Sequence, residues 1–238
     1  MLRELLSIFR SDEPLSVMGE RFAEMLNLAQ QMTLQAGDIY FRMDPEPEGR
    51  TRIYKADVQV NKLERTIRKL VIAHLSIRGN TASLPYCLLL MSLVKDVERI
   101  GDYAKNLAEA PELNQQPLPD DDIVTELKEI RAGVETAFAA TAQVFTSSDR
   151  ERAMALIRQG RDLTHRCEAL ILRISRSDYR ADLAAATILG SRYYKRIGAH
   201  VLNVLSSVVM PLHKLDYYDE KELDASSRSD GQEEDSTT

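Results

Sequence analysis

Apolar residues recur three and four positions apart along most of the chain, the period of helices buried on one face. Residues 2–9 carry Leu2, Leu5, Leu6, Ile8 and Phe9, a short amphipathic segment that needs something to pack on. Asp12 can cap the next helix, with Pro14 in its first turn, and the pattern runs to about Phe41. MDPEPEGR at 43–50 reads as a loop. A second helix is predicted over 53–77, with Val58, Leu63, Ile67, Leu70 and Val71 as its apolar face. GNTAS breaks it. Ser83 can cap a third helix, with Pro85 in its first turn, running to about Glu109. The linker PELNQQPLPDDD then carries three prolines and is the clearest punctuation in the chain.

The second half repeats the plan. A helix over about 121–146 shows Ile123, Leu127, Ile130, Val134, Phe138, Ala142 and Phe145. SSD at 147–149 caps another, to about Arg176. SDYRAD at 177–182 opens the last, reaching about Tyr217 with a break at Pro211. Helices of about 25 residues are roughly 37 Å long, and several joined by short connections make antiparallel bundles. Glu98-Arg99-Ile100-Gly101-Asp102 and its continuation to Asn106 align with Lys195-Arg196-Ile197-Gly198-Ala199 and its continuation to Asn203, at an offset of 97. Arg, Ile, Gly and Asn are shared. The repeat predicts an all-α chain of two tandem pseudo-symmetric three-helix bundles. The expected division is an N-terminal amphipathic helix (1–13), a first bundle (14–110), a linker (111–120), a second bundle (121–217) and an acidic disordered tail (218–238). A glycine inside a helix costs about 1 kcal/mol relative to alanine, so Gly101 and Gly198 predict a neighbouring helix in close approach.

Composition supports this and adds charge. In 238 residues there are only 10 Gly, 8 Pro and no Trp, which favours long helices over many short strands. The formal net charge is −6, but residues 216–238 hold nine acids against two bases, and the other 215 residues hold 28 acids against 29 bases. The body is therefore nearly neutral, and the tail is either a solubilising segment or a docking one. Neither value suits a general nucleic-acid binder. The two cysteines, Cys87 and Cys167, lie in apolar helical contexts and suggest a reducing compartment. The longest apolar run, Tyr86–Val94 apart from Ser92, is about half of what spans a bilayer, and the first residues lack a signal-peptide pattern. A cytoplasmic protein is expected.

The candidate chemistry is a polar stripe. Glu98, Asp102, Asn106 and Glu109 share one face of the third helix. The second helix offers Asp57, Asn61, Glu64 and Arg68. If the two stripes face each other, the carboxylates can hold a divalent cation or iron. Alternatively Arg68, Arg99 and Lys105 neutralise them, or the face is simply solvated. In the second half the matching positions are Lys195, Ala199 and Asn203, so both carboxylates are gone; Lys195 can pair with Asp162 or Glu168. His74, His165, His200 and His213 form no Glu-x-x-His pair of the di-iron kind, and no nucleophile motif or Gly-rich phosphate loop is present. The sequence gives little support to an enzyme.

KDVERIGDYAKNLAE at 95–109 resembles the signature of the PhoU family of phosphate-uptake regulators, and KRIGAHVLNV at 195–204 resembles its second copy. The resemblance implies two tandem three-helix bundles and a non-catalytic cytoplasmic regulator. It implies docking to a phosphate transporter, to its sensor histidine kinase, or to both, and thus a membrane association that runs through the partner. A homodimer is a further implication. Some relatives bind metal clusters through acid-x-x-x-Asp motifs. Carried over here, Glu98 and Asp102 match that motif and Asp57 matches the acid of the facing helix, while the second half departs from it. Two other functions stay open: an accessory scaffold of a sodium–phosphate type transporter, and a metal-dependent phosphohydrolase on a helical bundle.

Overall fold

A computed structural model describes residues 13–42 and 48–215. The expectations for residues 1–12, for most of the loop at 43–50 and for the acidic tail lie outside the described residues. Six long helices carry the structure: α1 (Glu13–Tyr40), α2 (Gly49–Leu75), α3 (Leu84–Glu109), α4 (Asp122–Ser147), α5 (Arg150–Ser175) and α6 (Ala181–Val209). Short 3-10 turns lie at Asn80–Ser83, Ala110–Leu113 and Leu212–Lys214. No strand occurs among the described residues.

Local chemistry sets several boundaries. Asp121 and Asp149 cap α4 and α5, accepting from the backbone N–H groups of Val124 and Arg152 at 2.9 Å each. Ser83 does not cap α3. Its hydroxyl instead donates to the Asn80 carbonyl at 2.6 Å and lies 2.7 Å from His74 Nε2. Asn80 also donates to the His74 carbonyl and to Nδ1, so Nε2 is the ring nitrogen left to carry the hydrogen. That closed set of bonds ties the end of α2 to the start of α3. The last helix ends at Val209, and Pro211 follows in extended conformation.

α1, α2 and α3 pack mutually as one three-helix unit, and α4, α5 and α6 as another. The units meet along α3–α6 and α1–α4. One continuous core runs through both, with the Phe22 and Phe145 rings 5.2 Å apart across the α1–α4 contact. α2 buries a narrow face of Ile53, Val60, Ile67, Val71 and His74. Val58, expected on that face, is 48% exposed, and Leu63 and Leu70 sit at its margins. The reason is that α2 packs chiefly against α1 and α3, so a narrow stripe suffices and Val58 falls off it.

The repeat's glycines do not mark close approach. A Cβ on Gly101 would lie 3.5 Å from Met32 Cε, and one on Gly198 the same distance from Val134 Cγ2, both ordinary contacts. The tight positions lie elsewhere. The Tyr40 phenol packs against Gly190 of α6 and donates to the Ala186 carbonyl at 3.0 Å. A Cβ on Gly190 would collide with that phenol oxygen. Gly101→Ala should therefore be neutral or stabilise by up to about 1 kcal/mol through helix propensity. Gly190→Ala should destabilise by about 1–3 kcal/mol as Tyr40 is displaced. Urea denaturation of both variants checks the contrast; equal and opposite signs reversed from these would refute the packing.

Candidate functional site

The sequence stripe on α3 does face α2. Lys105 Nζ sits between the two helices, 3.2 Å from Asp57 Oδ2 and 3.2 Å from Asp102 Oδ1. Asn61 donates to the same Asp57 oxygen at 3.4 Å. Arg99 reaches Asp102 at 3.2 Å and Glu98 at 3.6 Å. Arg68 pairs with Glu64 at 2.7 Å. One turn further on, Asn106 is half-buried, and Glu109 accepts from the Tyr54 phenol of α2. Asp57, Glu64, Glu98 and Asp102 thus stand against three cations. Burial, then the neighbouring charge of Asp102, pushes the Glu98 carboxyl above the ordinary glutamate range, against the pull of Arg99.

This donor set does not suit a metal ion as it stands. A hard cation needs several oxygens converging at about 2.0–2.6 Å. Here Asp57 Oδ2 and Asp102 Oδ1 both accept from an ammonium. Among the described residues, no group of three or more His, Cys, Asp or Glu side chains is placed to hold a metal. In the second half Lys195 pairs with Glu168 of α5, and that contact holds the Glu168 carboxyl below its ordinary range.

Asn203, the second-half partner of Asn106, faces the other bundle. Its amide donates to Asp96 Oδ1 of α3 at 2.8 Å, and His200 Nδ1 lies 2.8 Å from the same oxygen. Asp96 is 3% exposed, so its carboxylate is buried at the junction of the units. The Tyr103 ring stacks on His200 at 5.8 Å and lies 6.3 Å from Tyr193. At the repeat offset of 97, Tyr103 and His200 are equivalent positions, and so are Asp96 and Tyr193. Equivalent residues stacking on each other place the pseudo-two-fold axis between α3 and α6. The stripe reading missed Asp96. Its signal was a charge at core spacing, between Leu93 and Ile100. A separate apolar cavity of about 290 Å³, lined by Pro85, Leu89, Val208, Met210 and Leu212, lies at the other end of α3 and α6.

The Glu98 carboxyl gives a test of this geometry. Its raised folded pKa means that ionisation costs stability: the cost is absent below the ordinary glutamate value and full above the folded one. Glu98→Gln should therefore stabilise the protein at pH 7.5, with the advantage fading as pH falls through the folded pKa. Urea midpoints measured from pH 7.5 to pH 4 check it; a pH-independent difference would refute the burial of this carboxylate.

Residues 22–110 match the family model described as the PhoU domain. No curated protein matches the sequence significantly. PhoU from Pseudomonas aeruginosa is similar in structure, with a TM-score of 0.75 at 20% identity over 82% of this chain and 95% of that one. The phosphate transport system regulatory protein PhoU from Streptococcus pneumoniae is similar too, with a TM-score of 0.69 at 15% identity over 83% and 95%. At these identities the structural likeness speaks to fold alone, and it extends well beyond the matched domain into the second bundle. Residues 22–110, with the signature residues on α3, thus match a PhoU domain, and both bundles share the fold of these PhoU structures.

Proposed function

We propose that this protein is a non-catalytic regulator of phosphate uptake and phosphate signalling. It acts by docking its helical faces onto a phosphate transporter, its sensor histidine kinase, or both. The observation that carries this reading is the PhoU domain over residues 22–110, which includes Glu98-Arg99-Ile100-Gly101-Asp102. The likeness in fold to a phosphate transport system regulatory protein supports it. Long rigid helices present broad faces of the kind that face-to-face or helix-in-groove recognition uses. The surface of α2 adds exposed apolar side chains, Tyr54, Val58 and Ile72, among its charges. No described helix is long and apolar enough to cross a membrane; in this reading, membrane association runs through the partner, on the cytoplasmic side. Self-association as a dimer is part of the same proposal.

Deleting the gene should raise phosphate uptake and switch on phosphate-starvation signalling several-fold in phosphate-rich medium. Restoring the full chain should reverse both. Unchanged uptake and unchanged signalling in the deletion strain would overturn the proposal. Affinity purification of the tagged chain at high and low phosphate identifies which transporter or kinase it holds.

A further inference from the structure

We propose that Lys105 is the resident cation of the α2–α3 seam, holding the position that a divalent metal would need. The inference stands apart from the regulatory reading, which its failure would leave intact. Three observations carry it. First, Lys105 Nζ bridges the two helices symmetrically, at 3.2 Å from a carboxylate oxygen of Asp57 on α2 and 3.2 Å from one of Asp102 on α3. A metal drawing on both helices must take these oxygens, and so must break both charge-assisted bonds first. Second, the remaining acids are already engaged, Glu64 by Arg68 and Glu98 by Arg99. Four carboxylates against three cations leave one uncompensated charge, too little to draw a dication into the seam. Third, the other seam has the same device by a different residue: Lys195 replaces the acid at the Glu98 position and pairs across to Glu168 of α5.

The ammonium is held by two charge-assisted hydrogen bonds, one to each helix. Spacing between α2 and α3 at this level is then set by a covalently attached cation whose occupancy does not depend on metal supply.

Manganese alone is the probe. Binding of Mn²⁺ to the full chain is measured by calorimetry and by the electron paramagnetic signal of the free ion. Wild type and Lys105→Arg should show no saturable binding to the seam. Lys105→Ala and Lys105→Gln should lower the melting temperature, because Asp57 and Asp102 are then left without their shared cation. Adding Asp102→Asn should return part of that loss. Lys105→Gln keeps the length and polarity of the side chain, so the test survives if the alanine variant folds poorly. Saturable Mn²⁺ binding by wild type that is lost on Asp102→Asn would overturn the proposal. So would unchanged melting temperatures in both neutral variants, because Lys105 would then not be holding the two carboxylates.

Discussion

A buried carboxylate has to be satisfied where it lies, and Asp96 draws its partners from the other half of the molecule. Its oxygen takes both the Asn203 amide and the His200 ring of α6. Leaving a charged group unpaired in the interior costs several kcal/mol, so sliding α3 along α6 is strongly opposed. The surrounding contacts agree with that register. Tyr103 stacks on His200, Tyr40 fills the space over Gly190, and Arg131 of α4 pairs with Asp38 of α1 at 2.5 Å while facing the Phe41 ring. Two bundles that a repeat would allow to pack in several ways are held in one.

The same junction explains how the repeat has been put to use. The pseudo-two-fold axis brings equivalent residues together, and a strictly symmetric junction would place two identical residues where Asp96 and Tyr193 stand. Instead, a carboxylate meets His200 and Asn203 at one position, and an aromatic ring lies near Tyr103 at the other. The outer seams diverge in parallel. The first keeps its acids and adds Lys105, and the second exchanges an acid for Lys195. In both, an ammonium from one helix pairs with carboxylate across the gap, so electrostatic cross-links replace apolar packing at the solvent-facing edge of each bundle.

Much of the fold was legible in the sequence because it depends on local periodicity. The helices, the cap at Asp149 and the two bundles all follow from spacing and turn chemistry. The facing of Glu98 and Asp102 toward α2 followed from their helical register, and Lys105 was readable as a neutraliser one turn from Asp102. What spacing does not hold is pairing across distant segments. Nothing local tells that Asp57 shares its cation with Asp102, or that Asp96 meets residues more than a hundred positions away. Val58 failed for a related reason: the width of a buried stripe depends on how many neighbours the helix has. Gly101 failed because a glycine shared between the two repeats does not show what packs on it.

The exchange of Glu98 for Lys195 across the repeat also bears on orientation. A module with two equivalent ends presents the same face twice, and a partner that recognises one face can engage it either way round. Opposite charges at equivalent positions remove that degeneracy. A negatively lined groove on a partner would meet favourable charge at one end and repulsion at the other, so the difference between the seams acts as a polarity mark. The duplicated fold supplies the surface, and its broken symmetry gives that surface a direction.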